Sequence, residues 1–299
     1  GRKIVGVLFR AMQENVEGTR AGEDPEALHD MRVATRRMRA ALRVLQPYMH
    51  EERTDSVRRG LRAVARALGA VRDLDVLIMR AEAFQQTLPE EQRGDMEGLL
   101  DEWRTRRRKE RKALMRLLDS KDYARFVKEM AHFIEEDIPV PDIAAAEIEP
   151  FQVRHVAPSA ILSHYEQVRA YETVMSAPTI EQLHALRIRG KYLRYTLECF
   201  RETLPSEAGG LIRDVTRMQD ELGEIHDADV ATGLIKEYIE RQARRTKKGR
   251  EYSTPPGLAA YLEDRSAAMR RNHAGFLATW AGIESPQWRA RLAAVISAL

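Results

Sequence analysis

Cysteine and aromatic residues are scarce in this 299-residue chain, and its net charge is small. The single cysteine excludes an internal disulfide framework and a cysteine-based zinc cluster, and it favours a reducing compartment. No run approaches the roughly 18 apolar residues of a membrane span, so we expect a soluble, cytoplasmic protein. The 49 lysines and arginines are nearly cancelled by 46 aspartates and glutamates. Any anion binding must therefore come from local clustering of charge rather than from bulk charge.

The residues that are abundant favour helices. With 43% hydrophobic residues, the chain can bury one or two substantial cores. Long stretches are rich in Ala, Leu, Arg and Glu, which prefer helix to strand, so we expect an all-α protein. Apolar residues recur with helical periodicity in ten segments. These segments are 3–20, 25–46, 51–84, 89–119, 120–137, 158–176, 179–204, 206–243, 257–283 and 286–298.

Two sequence blocks occur twice, in the same order. The first reads LHDMRV at 28–33 and LHALRI at 183–188. The second reads LGAVRDLDV at 68–76 and LGEIHDADV at 222–230. The repetition of both blocks predicts an internal duplication that produces two pseudo-symmetric helical bundles.

The repeats divide the chain into two nearly equal halves. A segment with four prolines and weak periodicity separates them. We expect a first helical lobe at 1–138, a linker at 139–158 and a second helical lobe at 159–299. Gly69 and Gly223 lie inside long helical patterns, where glycine costs about 1 kcal/mol relative to alanine. A kink or a close helix approach would explain that cost.

Each copy of the first block begins a positively charged stripe, here called a ridge. On a helix that turns about 100° per residue, the ridge residues of the first copy fall within an arc of roughly 80° beside an apolar seam. The second copy repeats this arrangement, with Glu198 in place of Arg43. The ridges consist of His29, Arg32, Arg36, Arg39 and Arg43 in the first copy and His184, Arg187, Lys191 and Arg194 in the second.

Stacked like charges beside a core require anionic partners, since a solvated helix face normally mixes charges of both signs. The partners are either acids on neighbouring helices or an external polyanion. Arginine forks match phosphate oxygens, and the first ridge is about 20 Å long, which is too long for one phosphate group. A linear polyphosphate chain fits this shape. If the two lobes face each other, both ridges would line one basic groove or central channel.

Further charged residues follow on the next helix of each half. We expect the arginines of these helices to extend the polyphosphate-binding surface and the aspartates of the second block to hold ridge side chains in place. Metal ligation by those aspartates with His29 and His184 is the alternative for the aspartates. The surrounding arginine charge argues against a cation, so we expect no metal site. The arginines are Arg59, Arg62, Arg66, Arg213 and Arg217, and the aspartates are Asp73, Asp75, Asp227 and Asp229.

The doubled His-x-x-Arg-x-x-x-Arg/Lys helices and the Leu-Gly-x-x-Arg/His-Asp-x-Asp-Val blocks resemble the CHAD family of α-helical histidine-containing domains. The resemblance covers nearly the whole chain. It implies two pseudo-symmetric helical bundles, binding of inorganic polyphosphate in a basic central channel, and association with polyphosphate granules. The implied contact positions are His29, Arg32, Arg36, Arg39, His184, Arg187, Lys191 and Arg194.

Catalysis is not expected. The chain has no Walker loop, because Ala185 stands five positions before Gly190 and no hydroxyl residue follows Lys191. We find no nucleophile with an adjacent base and expect no cofactor, and Cys199 is interpreted as a packed structural residue.

Four other kinds of function stay open beside polyphosphate binding. Any phosphate polymer would be attracted to the ridges, so nucleic-acid binding is the strongest competitor, although we find no aromatic interleaving for base stacking. The remaining alternatives are a generic polyanion-binding module, a regulatory domain that handles metal or phosphate, and a structural interaction protein whose ridge docks an acidic partner.

Overall fold

Twelve α-helices make up most of the part of the chain that the structure, a computed structural model, describes: residues 2–44, 46, 51–135, 153–245 and 252–299. No strand occurs in these ranges, which confirms the predicted all-α class. Short 3₁₀ segments at Gly94–Met96 and Ala170–Val174 join helices. The helices are α1 (Arg2–Glu14), α2 (Val16–Ala21), α3 (Pro25–Val44), α4 (Glu51–Gln85), α5 (Glu90–Arg93), α6 (Glu97–Leu118), α7 (Lys121–Glu135), α8 (Val153–Arg169), α9 (Ile180–Cys199), α10 (Ala208–Arg245), α11 (Pro256–Glu284) and α12 (Pro286–Ser297).

The helix boundaries differ from the predicted ones in two instructive places. The segment predicted at 3–20 breaks at Asn15, whose side-chain amide donates to the Ala11 carbonyl at 2.9 Å and so competes with the helical backbone bonds. The helix predicted to begin at Pro158 begins at Val153. Pro158 is the sixth residue of α8, just beyond the first turn, and because it has no amide hydrogen it removes one helical hydrogen bond there. Part of the predicted linker, 139–152, lies outside the described residues.

Local signals define where the two motif helices begin. Before α3, the Asp24 carboxylate accepts a hydrogen bond from the Glu26 amide at 2.8 Å, and Pro25 is the first helical residue. Before α9, the Thr179 hydroxyl accepts from the Gln182 amide at 3.2 Å while the Gln182 side chain accepts from the Thr179 amide at 2.8 Å. This capping box satisfies two amides that no helical carbonyl could reach.

The chain divides into two compact units, and each unit draws on both halves of the sequence. The first unit contains Gly1–Gly69, Ala113–Gln219 and Thr279–Leu299, and the second contains Ala70–Lys112 and Asp220–Ala278. Long helices such as α4 and α10 begin in the first unit and end in the second. The division into lobes at 1–138 and 159–299 rests on the sequence repeat and stays a prediction.

In the first unit, α3 packs against α1, α2 and α9, and α9 packs against α8. The apolar seams predicted beside the two ridges face this core, so they are confirmed over the described residues. The first seam was also predicted to include Leu45, which lies outside those residues. The hydroxyl of buried Thr35 donates to the Met31 carbonyl at 2.7 Å. The buried seam residues are Leu28, Met31, Thr35, Met38 and Leu42 on α3, with Leu183, Leu186, Leu193, Leu197 and Phe200 on or next to α9.

The second unit has a core of its own. It combines the ends of α4 and α10 with most of α6 and α11, and Trp103 and Tyr261 are its largest fully buried side chains. The rings of Phe84 and Tyr261 lie 5.0 Å apart. Acids outside the core pair with arginines, as in the Arg104–Glu82 bridge at 2.8 Å.

The glycines of α4 differ in the space around them. A Cβ atom on Gly60 would lie 2.6 Å from Cγ and 2.8 Å from Cβ of Phe126, so this glycine permits α4 to approach α7 closely. At Gly69, where a close helix approach was expected, the nearest atom to an added Cβ is Nε of Arg32 at 4.0 Å. The close approach is therefore wrong at Gly69, because the neighbouring element presents the end of a flexible side chain instead of its backbone, and the alternative of a kink stays a prediction.

We predict that Gly60→Ala lowers the free energy of unfolding by about 1–2 kcal/mol, since overpacking against Phe126 exceeds the gain in helix propensity. The control Gly69→Ala has room for its methyl group and is expected to raise the free energy of unfolding by about 0.5–1 kcal/mol. Urea denaturation followed by circular dichroism measures both changes. Equal effects of the two substitutions would contradict the assignment of the α4–α7 contact to Gly60.

Candidate functional site

The two ridges come together inside the first unit. All residues predicted to contact a polyanion belong to this unit, where α3 packs against α9. The Lys191 ammonium is repelled by arginines of its own helix and by arginines of α3. We call this group of five cations the central cluster. It consists of Arg32 and Arg36 on α3 and of Arg187, Lys191 and Arg194 on α9.

Burial and crowding both disfavour the charged state in the central cluster. Partial burial, followed by repulsion from Arg187, Arg36, Arg32 and Arg194, lowers the pKa of Lys191 to about 8. Burial also lowers the pKa of the Arg36 guanidinium, and Arg194 and Arg32 lower it further. These two side chains therefore carry positive charge at a free-energy cost that an external anion would relieve.

Two side chains of α9 partly offset the repulsion. The guanidinium carbon of Arg194 lies 5.0 Å from the centroid of the buried Tyr195 ring, and that of Arg36 lies 5.8 Å from it. Both distances are favourable for cation–π interactions. The Glu198 carboxylate lies 3.4 Å from Nε of Arg194 and 4.0 Å from Nε of Arg37. The acid that replaces Arg43 in the second repeat thus supplies an internal ion pair at one end of the ridge.

Some hydrogen-bonding capacity of the ridges is unused. Nε of Arg36 and Nδ1 of His29 are buried without a hydrogen-bond partner among the described residues. Nε of Arg194 also has no such bond, because its 3.4 Å contact with Glu198 lacks hydrogen-bond geometry. Buried polar groups normally find partners, so unpaired nitrogen atoms on cationic residues are consistent with a site that receives an anion.

A second group of arginines, here called the outer cluster, follows along α3 and α4. Its members surround a small cleft of about 40 Å³, beside Leu42 and Leu61. Although the Arg39 side chain is exposed along part of its length, partial desolvation lowers its pKa, and Arg43 and Arg62 lower it further. The cluster consists of Arg39, Arg43, Arg58 and Arg62.

Tyr192 connects the outer cluster to α8. Its ring lies 4.5 Å below the Arg43 guanidinium and 5.8 Å from the His164 ring. Burial lowers the pKa of His164, and Arg189 and Arg43 lower it further, so this imidazole is neutral at physiological pH. The aromatic side chains of the site are thus packed beneath arginines.

Sequence reasoning missed Arg58, Tyr192 and Tyr195. Arg58 precedes Arg62 by one helical turn, a spacing that would have placed both on one face. The two tyrosines directly follow the ridge residues Lys191 and Arg194, but no one-dimensional pattern shows which arginines cover their rings.

The remaining predicted contact residues have varied surroundings. Arg59 pairs with Asp55 at 3.5 Å, and Arg213 lies over Gly209 and Gly210 near Arg291. His29 and His184 are half-buried. The exposed members of the predicted set are Arg39, Arg43, Arg59, Arg62, Arg66, Arg213 and Arg217.

The predicted supporting aspartates belong to the second unit. Asp75 forms an ion pair with Arg107, and Asp227 lies 3.7 Å from Arg80, which also contacts Glu224 at 2.6 Å. Neither of these arginines is a ridge residue. The role of Asp73, Asp75, Asp227 and Asp229 in holding ridge side chains therefore stays a prediction.

Within the described ranges, no three His, Cys, Asp or Glu side chains converge in a way that would hold a metal ion. Among the helices described, none is both long and apolar enough to cross a membrane.

Comparison with known proteins identifies the family. The sequence model of the CHAD domain matches residues 3–236, so the chain belongs to the CHAD domain family, which is linked to polyphosphate and triphosphate binding. The crystal structure of the CHAD domain from the plant Ricinus communis is similar, with a TM-score of 0.63 and 22% identity over 98% of this chain and 90% of that chain. PptA from Streptomyces chartreusis is similar with a TM-score of 0.64 and 17% identity, over 93% of this chain and 97% of that one. At these identities the two structures show a shared fold. No curated protein matches the chain.

We predict that Lys191→Met raises the free energy of unfolding at neutral pH by about 1–2 kcal/mol, because it removes a crowded cation that remains partly solvated. The pKa of Lys191 is about 8 in the folded protein and 10.5 in an unfolded chain. The cost of its charge is therefore complete below pH 8 and disappears as the pH rises towards 10.5. The stability difference between variant and native protein should shrink over the same interval.

Urea denaturation at a series of pH values tests this expectation. The control is Lys109→Met on α6, where the exposed lysine has no ion pair within the described residues. A Lys191→Met protein that is less stable than the native protein at neutral pH would contradict the charge-crowding argument.

Proposed function

We propose that this protein binds inorganic polyphosphate, held between the ridges of α3 and α9 by His, Arg and Lys side chains from both repeats. The observation that carries the proposal is the central cluster, where five cations meet between two packed helices, and burial followed by their mutual repulsion lowers the pKa of Lys191 to about 8. A polyanion would remove this repulsion and fill the unused hydrogen-bonding capacity of Arg36.

The arrangement of the cations favours a linear anion. The central cluster lies between two helices, and the outer cluster continues the positive charge along α3 and onto α4. From Arg32 to Arg43 the helix rises about 16 Å at 1.5 Å per residue. A compact phosphate would engage one cluster, whereas a chain of phosphates would engage both. Arginine forks bind phosphate oxygens in pairs, and Lys191 adds a point charge.

The aromatic residues favour polyphosphate over nucleic acid. Proteins that bind single strands offer open aromatic faces on which bases stack. Here Tyr195 is buried under two guanidinium groups, and Tyr192 lies between Arg43 and His164. Their rings orient arginines instead of offering a platform to a base.

We also propose that the protein is a receptor and not an enzyme. Cleavage of a phosphoanhydride would require an activated nucleophile, a general base or a metal-bound water beside the phosphate. The clusters instead consist of cations that neutralise and position phosphate groups. The supporting contacts are two tyrosine rings and the Glu198 carboxylate, which is engaged by Arg194 and Arg37.

We predict that Arg36→Gln combined with Lys191→Gln weakens binding of long-chain polyphosphate about 30- to 100-fold, because two charge-assisted contacts are lost. Isothermal titration calorimetry at several salt concentrations measures the change. The matched control is Arg106→Gln with Lys109→Gln, which removes two exposed charges from α6 and should change the affinity by less than about threefold.

Single-stranded and duplex DNA of equal total charge complete the test. Selective binding of polyphosphate, lost only in the central-cluster variant, would support a dedicated receptor. Equal losses in both double variants, or equal and steeply salt-dependent binding of all three polymers, would favour a generic polyanion-binding module.

Binding to polyphosphate would also direct the protein to polyphosphate granules. We predict that a fluorescently tagged protein concentrates at granules in polyphosphate-accumulating cells, and that the Arg36→Gln, Lys191→Gln variant stays diffuse. Fluorescence microscopy with a polyphosphate stain measures the overlap. A native protein that stays diffuse in such cells would contradict granule association.

A further inference from the structure

A cavity of about 400 Å³ opens in the first unit, and none of the cations of the central or outer cluster lines it. It is lined by residues of α1, α3, α9 and α10, with Ile4, Leu8, Ala41 and Ile212 among its apolar walls. Cavities of this size and apolar character are typical of small-molecule sites. A chain of highly hydrated phosphates would gain nothing from such walls, so the cavity suits a ligand with an apolar part.

The Cys199 thiol belongs to the same wall. Burial raises its pKa, so the thiol is neutral at physiological pH and behaves as a small apolar group. Because Cys199 is the only cysteine in the chain, the rate at which a thiol reagent modifies the protein reports on access to this cavity.

Positive charge collects at one side of the cavity. Arg201 and Gly209 are lining residues. Nη2 of Arg201 and Nη1 of Arg213 each lie 3.6 Å from the point that a Cβ atom of Gly209 would occupy, so two guanidinium groups flank one position above bare backbone. Neither group forms an ion pair or a side-chain hydrogen bond within the described part of the chain.

The other arginines near the cavity have acidic partners. Arg37 lies 4.0 Å from Glu198, and both line the cavity, although Arg194 shares this carboxylate. Arg291, which approaches Gly210, is 3.1 Å from the Asp214 carboxylate. Arg201 and Arg213 are therefore the arginines at the cavity for which the described residues supply no acidic partner.

We propose that this cavity binds a small amphipathic phosphate monoester. Its apolar part would lie against Ile4, Leu8, Ala41 and Ile212, and its phosphate would lie between Arg201 and Arg213. Two arginine forks suit a phosphate dianion, which can accept paired hydrogen bonds from both groups. Gly209 leaves room for the phosphate to approach the first turn of α10, whereas at Gly210 the Arg291 guanidinium fills the space above the backbone.

Alkylation of Cys199 by iodoacetamide in the full chain, at an alkaline pH that increases the thiolate fraction, tests the proposal, with octyl phosphate as the probe. At about ten times its Kd, octyl phosphate should slow alkylation about tenfold, because only the unoccupied protein reacts. Octanol and nonanoate share the apolar chain but lack a phosphate, so each should require a higher concentration for the same protection.

Two variants locate the phosphate. Arg201→Gln with Arg213→Gln should raise the half-protecting concentration of octyl phosphate at least about tenfold. The control, Arg106→Gln with Arg108→Gln, removes two exposed charges from α6 and should leave that concentration unaltered. Circular dichroism spectra and melting curves establish that each variant is folded.

Several outcomes would overturn the proposal. They are an alkylation rate that octyl phosphate does not change, protection by nonanoate at the same concentrations, and unchanged protection in the Arg201→Gln, Arg213→Gln variant. Polyphosphate binding is measured separately in the same samples. Its failure would therefore be distinguishable from failure of the cavity to bind octyl phosphate.

Discussion

Repulsion among the cations that meet where α3 packs against α9 is the constraint on which the rest of the first unit depends. Burial and like charge both lower the pKa of Lys191, so the packing of the two helices must supply the free energy that keeps these cations together. The apolar seams provide it, because Met31, Met38 and Leu193 are fully buried beside the charged ridges. Tyr195 and Glu198 reduce the remaining cost by contacting the same arginines.

Helical periodicity was sufficient to predict what is local to each helix. It predicts the all-α class, the seams and the composition of the two ridges, since each depends on the 100° turn per residue. It could not predict that the two ridges would meet inside one compact unit, because that depends on contacts between residues about 155 positions apart, such as those of Arg36 and Lys191. The Arg58 side chain was missed although its spacing of one helical turn from Arg62 offered a local signal.

The aspartates show a second limit. A carboxylate on an apolar seam must find a partner, and that physical argument predicts an ion pair for Asp75. With so many arginines in the chain, the sequence does not determine which one supplies it. In the structure the partner is Arg107, while Asp227 contacts Arg80. The need for a partner follows from local pattern, but its identity follows from the three-dimensional packing.

The small net charge of +3 accompanies an uneven distribution of paired and unpaired charges. Outside the clusters, acids sit beside arginines, as in Arg104–Glu82 and Arg80–Glu224, so those charges compensate one another within the protein. The central cluster has Glu198 at one end, and under the proposed function a bound polyphosphate would supply further compensation. Because the total charge of the chain is nearly balanced, long-range attraction of unrelated polyanions is weak, and binding of the proposed ligand would come from close contact with the clusters. Segregating charge in this way favours selectivity over general attraction, and it leaves a destabilised site in the free protein.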